Sequence, residues 1–174
     1  MPPVDYSDLS DEEAQRRFDE LTSSSPERVA WVRREVGDVL DLTPESLVPL
    51  WEWFMRREAS RSDRGGELPA WYEPDPPELA PQRLSPATLR DVDAMAHYLA
   101  EVFLHNVPGA AWGIGKLPKK MKYAHQNKPV VKLGDDQDAN PVGMVYGNAV
   151  RVALMGETTP PDTLLAAYRA WVPG

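Results

Sequence analysis

Cysteine is absent from the 174 residues, which removes disulfides, thiolate nucleophiles and cysteine-held zinc. No run of 18 apolar residues occurs, so no segment is expected to span a bilayer. The opening Met1-Pro2-Pro3-Val4-Asp5 lacks the basic and apolar regions of a signal peptide, and a cytoplasmic location is the expectation. Histidine occurs three times, as His97, His105 and His125, too few and too scattered for a metal-ligand pattern. Basic charge is also in deficit. The net charge of −8 opposes general nucleic-acid binding, which needs a positive field to attract phosphates.

Two further absences are local. Gly113-Ile114-Gly115-Lys116 is followed by Leu117-Pro118, so it lacks the spacing and the helix start of a phosphate loop. Asp136, Asp138 and Asn140 open like a calcium loop, but Pro141 stands where the turn needs glycine and Gly147 where the bidentate glutamate belongs. There is no G-x-S-x-G elbow, nor a third group to order His125 beside a serine. The expectation is no catalytic residue, no metal and no cofactor, which leaves a hydrolase or transferase without residues to assign.

What is present points to helices. Ser10-Asp11-Glu12-Glu13 is a capping box that predicts a helix through Phe18 and Leu21, ending in Thr22-Ser23-Ser24-Ser25. Ser25-Pro26 then predicts a second helix, with Val29, Val32, Val36 and Val39 or Leu40 at helical spacing and Gly37 weakening its end. Leu42-Thr43-Pro44 and Leu84-Ser85-Pro86 share one device, a Ser or Thr cap with Pro in the first helical position, flanked by a leucine staple. The first starts a helix with Leu47, Leu50, Trp51 and Phe54 inward. The second starts a long helix with Leu89, Val92, Ala96, Leu99 and Phe103 inward, widened by Met95, Tyr98 and Val102. On that helix Asp93, His97, Glu101 and His105 fall at four-residue steps. The histidines are two turns apart, about 12 Å, too far to share an ion, and the row is expected to be a solvated face.

Strands are predicted at 111–115 and 128–133, followed by a polar turn at 135–139. Asn140-Pro141 then caps a segment for which helix is preferred over strand, and a final short helix carries Leu164, Leu165, Tyr168 and Trp171. The expected fold is α+β and mostly helical: five to six helices around a small antiparallel sheet of two, or three, strands. A single domain would comprise N-terminal helices over 1–60, a proline-rich strap over 61–83 and a helix–hairpin–helix unit over 84–174. The strap carries Leu68, Trp71, Tyr72 and Leu79, which are expected to pin it to the core; the alternative is a docking epitope for a partner, with Trp71 and Tyr72 as its residues.

All six lysines lie between Lys116 and Lys132, a window without Asp or Glu, while the other thirteen basic residues are arginines. Lys116, Lys119, Lys120, Lys122, Tyr123, His125 and Lys128 are therefore the candidate binding residues. Cations beside an aromatic ring suit an acidic protein surface or phosphates; the plainer alternative is a charged hairpin loop that discourages edge-to-edge aggregation.

The stretches YLAEVFLHNVPGAAWGIG, NKPVVKLG and NPVGMVYGNAV, within residues 84–156, resemble small bacterial domains of uncharacterised function. In these, a helix ends near a Trp-containing strand, a second strand follows and a proline-started helix closes the unit. Some look like immunity proteins of contact-dependent or polymorphic toxin systems. The resemblance implies an α+β fold and assigns no catalytic residue. The expected function is that of a non-enzymatic binding protein, an immunity or regulatory factor whose partner is another protein. The alternative is an anion-binding module that uses the lysine window for RNA, nucleotide or phosphate.

Overall fold

Ser10 starts the first helix as its sequence predicts: the hydroxyl accepts a hydrogen bond from the Glu13 amide at 3.2 Å. Glu13 does not complete the box. Its carboxylate accepts instead from Arg16 (2.6 Å) and Arg17 (3.0 Å), which hold its pKa down at about 2. The structure is a computed structural model that describes residues 6–72, 83–116 and 125–172.

The two predicted N-terminal helices are one. Helix α1 runs unbroken over Asp11–Val36 with Pro26 inside it. The hydroxyl run read as a stop bonds back into the helix: Thr22 donates to the Phe18 carbonyl at 2.9 Å, Ser23 to Glu20 at 3.0 Å and Ser24 to Leu21 at 2.8 Å. Pro26 lacks the amide hydrogen that would reach residue 22, and packing of α1 against the rest of the fold outweighs that loss. Gly37 ends the helix at φ 108°, a backbone position that suits glycine.

Pro44 opens a 3-10 turn, Pro44–Ser46, rather than an α-helix, and helix α2 follows as Leu47–Ala59. Thr43 makes no side-chain cap; its amide and hydroxyl both donate to Asp41 Oδ1. The turn is held from afar. Tyr98 Oη accepts from the Leu42 amide at 2.9 Å and meets Ser46 Oγ at 2.7 Å, while Asn106 Nδ2 donates to the Leu42 carbonyl at 2.7 Å. These three bonds fix Leu42 at φ 66°, unusual for a branched side chain.

Helix α3, Pro86–Asn106, is the central element, and its cap is the one predicted, Ser85 accepting from the Thr88 amide. It packs against α1 on one side and α4 on another, with α2 and the sheet also in contact. Every residue from Leu89 to Ala100 except Arg90 is buried. The predicted inward stripes of α2 and α3 are all in the core, with Trp51 stacked on Phe54 at 5.0 Å.

The sheet has three antiparallel strands, β1 (Ala111–Ile114), β2 (Pro129–Gly134) and β3 (Gln137–Ala139), in that order. Trp112 pairs with Val131 and Lys132 with Asp138. Residues 137–139, expected in a polar turn, form the third strand; only 135–136 turn. Asn140 caps helix α4, Pro141–Ala153, by accepting from the Gly143 amide at 3.0 Å, so the helix preference for this stretch holds. Helix α5, Thr163–Trp171, buries Leu164, Leu165 and Tyr168 against the core. The fold is α+β and mostly helical, as expected, and no helix among the described residues is long and apolar enough to cross a membrane.

Candidate functional site

The lysine window leaves and re-enters the sheet at one point. The Gly115 amide donates to the Lys128 carbonyl at 2.9 Å, and the Asn127 amide donates to the Gly115 carbonyl at 2.7 Å. A Cβ on Gly115 would lie 2.3 Å from the His125 carbonyl oxygen, so this close approach requires glycine. Asn127, at φ 62°, is buried and donates from its amide to the Tyr6 and Leu9 carbonyls at 2.9 and 3.1 Å, fastening the clasp to the chain ahead of α1.

Around the clasp, Lys116 pairs with Asp11 in the first turn of α1 at 2.9 Å, an exposed contact that stabilises little. His125 is half-buried, and burial pushes its pKa below the usual histidine range with the Lys128 charge adding to the effect. Lys119, Lys120, Lys122 and Tyr123 lie outside the described residues. Lys132 sits apart, at the far end of β2 opposite Ala111, and pairs with Asp138 at 3.1 Å.

Trp71 and Tyr72 are turned inward, as expected of a strap pinned to the core, whereas Leu68 is exposed and Leu79 lies outside the described residues. Both pack against Tyr146 of α4. The Trp71 indole donates to Asp93 Oδ1 at 2.8 Å. That bond exposes the main departure from expectation. The row Asp93, His97, Glu101, His105 is solvated only in its second half; Asp93 and His97 are buried, at 5% and 2% exposure. Helix α1 packs against α3, Trp71 reaches Asp93 there, and the Trp112 ring faces His97 at 6.4 Å.

Asp93 is the hub of the resulting cluster. Its Oδ1 accepts from Trp71 and lies 3.5 Å from His97 Nε2, and its Oδ2 lies 2.9 Å from Arg28 Nε on α1. The cluster lines a cleft of about 110 Å³ whose further walls include Tyr6, Arg17, Glu20 and Ser24. Arg17, Leu21, Ser24 and Arg28 fall at intervals of four, three and four, one face of α1, and this spacing was visible in the sequence once α1 is drawn as one helix. Tyr6 lies beneath the Arg17 guanidinium, 5.9 Å from its ring centroid, and burial raises the phenol pKa against the opposing pull of Arg17.

A second buried carboxylate, Asp91, has a different environment. Its Oδ2 accepts from Arg57 Nε at 2.8 Å and from Arg61 Nη2, and Arg61 also reaches Glu58 at 2.7 Å. Arg57 lies over the Trp53 ring at 5.3 Å. This network ties α2 to α3. Among the described residues no group of three His, Asp or Glu is placed to hold a metal ion.

No family model, curated protein or solved structure matches the chain.

Proposed function

We propose that this chain is a non-enzymatic binding protein of the immunity or regulatory kind, acting in the cytoplasm by contact with another protein. The observation that carries the proposal is the clasp at Gly115, Asn127 and Lys128. It joins residues 115 and 127–128, so the segment that carries five of the six lysines begins and ends at one end of the sheet. An acid-free stretch presented by an otherwise acidic body suits a protein partner with an acidic patch, because complementary charge steers encounter while the body repels extended nucleic acid. The second reading uses the same lysines for RNA, nucleotide or phosphate, and Tyr123 between Lys122 and His125 favours it as a surface for base stacking.

Pull-down from the native host, with chemical crosslinking to place the contact, tests the first reading. The protein with Lys119, Lys120 and Lys122 changed to Glu should lose the partner that the unaltered protein retains. Retention of that partner by the variant, or reproducible turnover of a small molecule by the purified protein, contradicts it. Affinity for an RNA and nucleotide panel that falls steeply with salt would select the second reading.

A further inference from the structure

We propose that residues 6–9 are a latch on the lysine clasp: seated, they hold Gly115 and Asn127 together, and released, they let the two ends of the lysine-bearing segment part. The joint is Asn127, which faces both ways. Its backbone amide donates to the Gly115 carbonyl at 2.7 Å and closes the clasp, while its side-chain amide donates to the Tyr6 and Leu9 carbonyls at 2.9 and 3.1 Å. Both side-chain N–H groups are thereby used. Asn127 is buried and stands at φ 62°, a backbone region that asparagine tolerates and that its anchored side chain holds. Without those two acceptors the side chain would be a buried amide lacking partners, so loss of the 6–9 seat removes what keeps Asn127 in place.

Residues 6–9 are placed to come away before the rest of the fold. They form a turn closed by one long bond, from the Leu9 amide to the Tyr6 carbonyl at 3.3 Å, and belong to no helix or strand. Ser10 caps α1 with its own hydroxyl, so the segment lifts as far as the cap without unwinding the helix. Its buried side chain is Tyr6, and that ring borders two clefts, of about 110 and 30 Å³, rather than solid core. A ring beside empty space has fewer contacts to lose. Segments held by few contacts open locally while the fold stands. The latch thus couples the start of α1 to the presentation of the lysines. That regulatory consequence rests on the reading of the lysine segment as a contact surface; the coupling itself does not.

Amide hydrogen exchange in the full chain tests the coupling. Tyr6→Ala removes no bond of the clasp, yet exchange at the Gly115 and Asn127 amides should rise about tenfold or more. The Leu99 amide in α3 should stay unmoved, as the control for global unfolding. Asn127→Gly keeps the left-handed backbone, deletes only the side-chain bonds and should accelerate the Leu9 and Gly115 amides together. Gly115→Ala strains the clasp from the other side and should accelerate the Leu9 amide, because coupling between two sites is reciprocal. If Tyr6→Ala does not fold, the other two variants carry the test. Acceleration confined to residues 7–9 in Tyr6→Ala, or confined to the clasp in Gly115→Ala, overturns the latch. A polyglutamate peptide probes the consequence for binding: Asn127→Gly, whose lysine segment is less preorganised, should bind it about threefold more weakly or worse. Equal binding by Asn127→Gly and the unaltered protein overturns the regulatory role. A peptide that ignores the unaltered protein, with exchange coupled as expected, supports the latch and contradicts the lysine-contact reading alone.

Discussion

The two halves of the polar row on α3 have the same chemistry and opposite environments. Asp93 and His97 are an acid and a histidine four residues apart, and so are Glu101 and His105. The first pair is buried, with Arg28 of α1 paired to the carboxylate and the Trp71 indole donating to it. The second pair is left half-buried and exposed. Nothing in the helix itself separates them. What separates them is the continuity of α1, which carries Arg28 across the helix, and the strap that delivers Trp71. A polar row on an amphipathic helix is thus solvated only where no other element crosses it, and the crossing element must bring the partners that make burial affordable.

The largest effect should come from the other buried carboxylate, which marks what a fully enclosed ion pair costs to break. Asp91→Ala removes the buried carboxylate shared by Arg57 and Arg61, leaves Arg61, whose side chain is only 5% exposed, with Glu58 alone, and should lower unfolding free energy by about 3 kcal/mol in urea denaturation. The comparison itself is sharpened by Asp93→Ala and Glu101→Ala. The first leaves the buried Trp71 indole without an acceptor and should cost about 2–3 kcal/mol, whereas the second should stay within roughly 0.5 kcal/mol. Equal losses would break the comparison. Gly115→Ala forces a Cβ against the His125 carbonyl and should cost about 1–3 kcal/mol, with hydrogen exchange at the Asn127 amide accelerated as the clasp opens. The smallest effect concerns His125. Its folded pKa lies below the unfolded value, so its contribution is complete above the ordinary histidine range and is lost as pH falls from there through the lowered folded value. Lys128→Ala should move the His125 titration upward, which an NMR pH series would read.

The elements and much of the core were legible in the sequence because caps and periodicity are local signals. Ser10, Ser85 and Asn140 cap the helices they were expected to cap, and the stripes of α2 and α3 are buried as drawn. The failures share a cause. The Thr22–Ser25 run followed by Pro26 carries every local sign of a break, yet tertiary packing holds α1 straight through it. Splitting α1 then hid the face shared by Arg17 and Arg28, and with it the cover over Asp93 and His97. The clasp was equally invisible, since the demand for glycine at 115 arises from the His125 backbone ten residues away. The burial of Trp71 and Tyr72 was anticipated from their apolar character inside a proline-rich strap, but the carboxylate that holds Trp71 was not.

Deuterium exchange at the three imidazole C2 positions, followed in the intact protein, tests the division of α3 most directly. His97 should exchange at least about tenfold more slowly than His105, because one is enclosed by α1, the strap and Trp112 while the other faces solvent. Equal rates at His97 and His105 would mean that the row is uniformly solvated and that the buried cluster around Asp93 does not form.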